Sequence, residues 1–124
     1  MDTVIIAHDK LAYELLETAN KLLPQPIQAQ AYSNQIQEID AIVMDVLKKH
    51  SAKTDEPLFI FTDFKGGSCW QAAFRIKHEI PSATIISGVN IPMLISFGIY
   101  NEQLQAEALT NKITEDAIKS IQTF

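Results

Sequence analysis

Apolar and polar positions along the chain alternate between two periods. Thr3 to Ala7 (TVIIA) is a short β-branched run that reads as a buried strand. Leu11, Leu15, Ala19 and Leu22 follow at helical spacing and stop before Pro24. Ile27 to Ser33 (IQAQAYS) alternates in the manner of a half-buried strand. Ile36, Ile39, Val43, Val46 and Leu47 form a second helical stripe, closed by Lys48, Lys49 and His50, whose positive charge suits a helix C-terminus. The cycle then repeats. Pro57 to Thr62 (PLFIFT) is a third strand, and Cys69, Ala72, Ala73, Ile76 and Ile80 a third stripe. Ala83 to Gly88 (ATIISG) is a fourth strand. Asn90 is placed to cap a fourth helix that tolerates Pro92 in its first turn. Met93 and Phe97 share one face of that helix, so the run to Tyr100 reads as core or as an interface between subunits. A last helix is expected from Leu104 to Ala117. Ile118 to Phe124 fits either more helix or a short edge strand.

Strands alternating with helices point to an α/β fold, doubly wound around a mainly parallel sheet. Two strand orders, 2-1-3-4 and 3-2-1-4, are open to four such strands. Ligands bind such sheets at the carboxyl ends of the strands, where the order reverses. His8 and Asp9 end the first strand, Thr62 and Asp63 the third. In the order 2-1-3-4 these strands are neighbours, and His8 and Asp63 face one crevice. A carboxylate bonded to one ring nitrogen selects the tautomer in which the other nitrogen is a free nucleophile. Gly66, Gly67 and Ser68 then open a helix beside the pair. Glycines let backbone N–H groups approach a ligand, and a helix N-terminus adds free donors. That set of groups suits a phosphoryl group, whose transfer depends mostly on positioning and charge stabilisation. Read singly, Ser68 is an N-cap, Asp63 a turn acid and His8 a structural histidine; only their joint placement argues for a site.

Composition narrows the picture. The 124 residues match one domain, residues 1–124, and 47% are hydrophobic, enough to build a core. Ten basic residues against 15 acidic ones give a net charge of −5, which disfavours nucleic acid as a partner. One cysteine, Cys69, excludes an intrachain disulfide and a cysteine-based zinc site. The loop Gly66-Gly67-Ser68 lacks the Gly-Lys-Ser/Thr ending of a nucleotide-binding loop, so the phosphoryl group is expected to come from another molecule; no cofactor and no metal are expected. No signal peptide or membrane-spanning run is evident, and a cytoplasmic location is expected. His50 and His78 read as surface residues. Phe64 and Trp70 flank the loop and, if exposed, offer a docking surface.

The segments IIAHDKLAYELLETA, FTDFKGGSCWQAAFRI and SGVNIPML, in this order and spacing, resemble the IIA component of the mannose-type (mannose/fructose/sorbose) bacterial phosphoenolpyruvate-dependent sugar phosphotransferase system. The resemblance runs from about Val4 to Met93 and more loosely onward. It implies that His8 is the phosphorylated histidine, that Asp63 orients it, and that Gly66, Gly67 and Ser68 receive the phosphate. It implies a histidine phosphocarrier protein as donor, a IIB component as acceptor, and contact with the membrane only through the transporter's membrane components. It also implies the order 2-1-3-4, with an antiparallel edge strand exchanged within a homodimer. Four residues depart from the family pattern. Asp9 stands where glycine is usual and puts a negative charge beside His8. Cys69 and Gln71 replace proline and asparagine, and Lys65 adds a cation that offsets Asp9.

Three other readings compete. A phosphoaspartate receiver would need an acidic cluster after the first strand and a lysine after a fifth. A Cys-His-Asp hydrolase would need a reactive Cys69, whereas that residue falls beside the apolar Ala72-Ala73 stripe. A regulatory relative without catalysis would have no use for His8, Asp63 and Ser68 together.

Overall fold

In a computed structural model of the chain, which describes residues 1–51 and 55–124, four strands form one sheet. They are β1 (Asp2–Ala7), β2 (Gln30–Ser33), β3 (Leu58–Thr62) and β4 (Thr84–Ser87), ordered β2-β1-β3-β4 and parallel throughout. The helices are α1 (Leu11–Leu22), α2 (Ile39–Ser51), α3 (Ser68–Glu79), α4 (Ile91–Tyr100) and α5 (Ala106–Lys119).

Alternation along β1 and β3 divides the core in two. Ile5, Ala7, Phe59 and Phe61 pack with residues of α1, α4 and α5. Val4, Ile6, Leu58 and Ile60 pack on the opposite face with residues of α2 and α3. Because α1 leaves β1 over one face and α3 leaves β3 over the other, the crevice between these strands stays open at their carboxyl ends. That is the switch point of the order 2-1-3-4.

Several elements differ from the sequence reading. Within α1 the buried face carries Ala12 and Ala19, while Leu11 and Leu22 are exposed. Small alanines let the helix lie close to the sheet, and the leucines fall to the rim. Only Gln30–Ser33 of the expected second strand is paired. Ile27 is instead buried with its N–H held by Asn20 Oδ1 at 2.8 Å. Ile36 is no part of α2. The Ser33 carbonyl accepts from the N–H groups of Ile36 and Gln37, building a turn that leaves Ile36 exposed. His50 is not a surface residue: it is 8% exposed, and its Nδ1 lies 2.9 Å from Asp2 Oδ2 beneath β1. His78 is exposed as expected. The last helix starts two residues later than expected and runs to Lys119; residues 120–124 form neither helix nor strand and are exposed.

The fourth helix begins as its sequence implies, with Asn90 Oδ1 accepting from Met93 N–H at 2.9 Å and a proline in the first turn. Met93 and Phe97 are core residues. Gly98 on this helix touches α1's end so closely that a Cβ there would collide with the side chain of buried Leu23. Gly98→Val is therefore expected to destabilise the fold by about 1–3 kcal/mol. Thermal unfolding should show a midpoint lower by several degrees; an unchanged midpoint would mean that α1 and α4 have room to separate. Among the described residues no helix is long and apolar enough to cross a membrane.

Candidate functional site

His8 follows the last residue of β1, and Asp63 follows the last residue of β3. Ile6 pairs with Thr62, so β1 and β3 end side by side, with Asp63 one residue and His8 two residues beyond the pair. Asp63 Oδ2 accepts the backbone N–H of His8 at 2.9 Å and lies 2.6 Å from His8 Nδ1. Its other oxygen, Oδ1, accepts the N–H of Phe64 at 2.9 Å. The carboxylate is 9% exposed and the imidazole 37%. Burial, the largest single influence on Asp63, pushes its pKa up. The backbone N–H of His8, the ring and the N–H of Phe64 together outweigh it and hold the carboxyl below its ordinary value. Asp63 is thus ionised at neutral pH and can only accept, so Nδ1 carries the hydrogen. The lone pair of the neutral ring is left at Nε2.

Nε2 faces the start of α3. Ser68 Oγ lies 3.5 Å from it. The N-cap is Gly67, not Ser68, and no side chain caps the helix. Ser68 is thereby the first helical residue, and among the described residues no side-chain acceptor is bonded to the first-turn N–H groups. Gly66 holds φ +93°, a conformation few side chains tolerate, and so turns the chain from Lys65 into the helix. The five residues expected at the site, His8, Asp63, Gly66, Gly67 and Ser68, thus meet at one end of one crevice.

Asp9 has φ +52°. Aspartate is among the few residues besides glycine that enter this region at modest cost, which makes its replacement of a glycine intelligible. Its N–H donates to Asn34 Oδ1 at 3.2 Å, and its side chain is exposed. Asn34 follows β2 directly and reaches the first loop because the sheet order sets β2 beside β1.

Phe64 is only in part the free docking residue that its position suggested. Its ring is stacked on His8, with centroids 5.3 Å apart and planes at 24°, and it remains 52% exposed. Trp70 is half-buried and leans on Phe74 at 5.1 Å. Cys69 is fully buried; burial first, and the charge of Asp63 second, push its thiol up to about 11, against a smaller lowering by Ser68. The donor atoms of His8, Asp63 and Cys69 lie within 4.8 Å of one another. A neutral buried thiol is not the nucleophile that a hydrolase would need.

The family model described as the PTS system fructose IIA component, EIIA-man, matches residues 2–114. No curated protein sequence matches the chain. Among solved structures it is similar to the phosphotransferase system component EIIA from Streptococcus agalactiae. Identity there is 16% and the TM-score 0.83, over 99% of this chain and 96% of that one. The mannose/sorbose-specific IIA subunit from Enterococcus faecalis gives 15% and 0.81, over 99% and 93%. The PTS IIA protein associated with the fucose utilization operon from Streptococcus pneumoniae gives 19% and 0.77, over 98% and 91%. At these identities the structures speak for the fold.

Proposed function

This chain belongs to the EIIA-man family of phosphotransferase-system IIA components, and from that premise we propose that it is a cytoplasmic phosphoryl carrier. It accepts a phosphoryl group on His8 from a histidine phosphocarrier protein and hands it to a IIB component during coupled sugar uptake and phosphorylation. The observation that carries the reading is the bond from His8 Nδ1 to an ionised Asp63. This bond leaves Nε2 as the nucleophile.

The geometry supports the following sequence. Nε2 attacks phosphorus in line with the leaving nitrogen of the donor. That nitrogen takes back the bonding pair, and positive charge develops on the His8 ring. Asp63 stabilises this charge without taking the proton from Nδ1. Ser68 Oγ and the free N–H groups at the start of α3 lie on the Nε2 side, where the equatorial oxygens gather negative charge. Gly66 borders open space, and Gly67 adds no side chain of its own at the start of α3. Transfer to IIB is the same step reversed with a different acceptor. The membrane is reached only through the components that move the sugar.

A homodimer with exchanged edge strands is part of the proposal. β4 is an edge of the sheet in a single chain. Residues 120–124 lie exposed, with Ile121 and Phe124 facing solvent. Two unburied apolar residues in the tail, in a chain whose sheet ends on the single-sided strand β4, support pairing with a second copy.

The test is intact mass after incubation with phosphoenolpyruvate, enzyme I and the histidine phosphocarrier, for the wild type and His8→Ala. One added phosphoryl group, lost in acid, kept in alkali and absent from the variant, is the expected result. No added mass, with a phosphocarrier shown to be active, would refute it.

A further inference from the structure

We infer that Phe64 is a positioning residue of phosphoryl transfer, its ring lying on the face of His8 and favouring the charged imidazolium that forms as Nε2 binds phosphorus. The inference rests on the function proposed above and extends it to a residue with no assigned role.

A large apolar side chain that is 52% exposed gains little from burial where it stands. Its placement nevertheless has definite supports. The backbone N–H of Phe64 is bonded to Asp63 Oδ1, so the residue is tied to the carboxylate that holds the other edge of the imidazole. Gly67 leaves the space that the ring occupies: a Cβ there would come within 2.6 Å of Phe64 Cζ. The loop thus has room for this ring, and the ring lies nearly parallel to His8, with centroids 5.3 Å apart.

The chemistry of the stack follows from the charge on each ring. The form of the His8 imidazole that attacks has hydrogen on Nδ1, bonded to Asp63, and the lone pair on Nε2. That lone pair lies in the ring plane, so a neighbour on the face does not obstruct it. During transfer the pair forms the Nε2–P bond, while the electrons of the breaking P–N bond return to the donor's ring nitrogen. No proton leaves Nδ1, which stays bonded to Asp63, and the phosphorylated His8 ring becomes a cation. An aromatic face within about 6 Å attracts a cation through its quadrupole. Phe64 therefore acts on the phosphorylated form and on the transition state more than on the free ring. Asp63 stabilises the same charge from the edge, so the two residues act from perpendicular directions.

The test compares wild type with Phe64→Leu, which keeps apolar bulk without a π face, and Phe64→Tyr, which keeps the face. Each is equilibrated with a fixed ratio of phosphorylated to free histidine phosphocarrier, and the phosphorylated fraction is read by intact mass. Phe64→Leu is expected to lower the equilibrium constant for phosphorylation about 2- to 5-fold, as expected for a cation over an exposed aromatic face. Phe64→Tyr should restore it. The residue is half exposed, so all three proteins should share one thermal midpoint, which is measured alongside. A Phe64→Leu protein equal to wild type, or a Phe64→Tyr protein as impaired as Phe64→Leu, overturns the inference while the carrier function stands. A wild type that takes no phosphoryl group overturns both.

Discussion

Asp63→Asn is expected to leave a folded protein whose phosphoryl transfer is slower by about two to four orders of magnitude, on the scale of losing the residue that sets a catalytic histidine's tautomer. All three hydrogen bonds at Asp63 run toward it: from the His8 N–H and ring to Oδ2, and from the Phe64 N–H to Oδ1. An asparagine has one oxygen and one NH2 group, so it cannot accept at both places. With its oxygen toward His8, its NH2 meets the N–H of Phe64. Turned over, the NH2 meets the N–H of His8 and no longer holds hydrogen on Nδ1. Either choice also removes the negative charge that stabilises the phosphorylated ring. Quenched-flow transfer from the phosphocarrier measures the rate, and an unchanged rate would remove Asp63 from the mechanism.

The same substitution should cost about 1–3 kcal/mol at neutral pH, since it leaves a partly buried donor unpaired. The pH dependence follows from the direction of the shift. The carboxyl of Asp63 is lower in the folded protein than its ordinary value. Its contribution is therefore complete above the unfolded value of about 3.9 and is lost as the pH falls through the folded one. Urea midpoints of wild type and Asp63→Asn should differ at pH 7 and converge below about pH 4. A gap that widened in acid would contradict the assignment.

Phe61→Ala carries the largest expected loss of stability. Phe61 is fully buried on β3 and meets Phe97 of α4 edge to face at 5.3 Å and 84°, with Phe59 6.4 Å along the same strand. Truncation leaves a cavity between the sheet and α4 that two aromatic neighbours on rigid elements cannot close. The cost should be about 3–5 kcal/mol, out of the 5–15 kcal/mol, roughly, that holds a domain of this kind together. Phe61→Leu refills most of the volume and should cost about 1.5 kcal/mol or less. Urea unfolding with an unchanged slope would measure both. Similar midpoints for the two variants would mean that the site collapses freely. Phe61 lies two residues before Asp63, so the alanine variant should also weaken the site, while retaining transfer at low temperature where it remains folded.

The alternation of strand and helix, the number of strands and the helix cap at Asn90 could be read from the chain, because period, β-branching and turn chemistry are local properties; the cap of α3 fell on Gly67 and not on the expected Ser68. His8 and Asp63 were legible for the same reason: each ends an apolar run where a buried strand reaches its carboxyl end. The family motifs then selected the order 2-1-3-4 over its alternative, which periodicity alone left open.

Other features were decided by the tertiary structure. The exposed leucines of α1 reflect the depth at which Ala12 and Ala19 let that helix settle, a property of two packed surfaces. Burial of His50 depends on Asp2, 48 residues away, lying under the end of α2. Ile36 left the helical stripe because the Ser33 carbonyl offered its N–H a nearer partner. Phe64 came to rest on His8 through an empty space at Gly67 and a bond to Asp63, neither of which is visible as a pattern. A sequence specifies which groups are available and at what spacing. Which of them meet is settled when strands distant in the chain align, because only then do distances of a few ångströms between side chains exist.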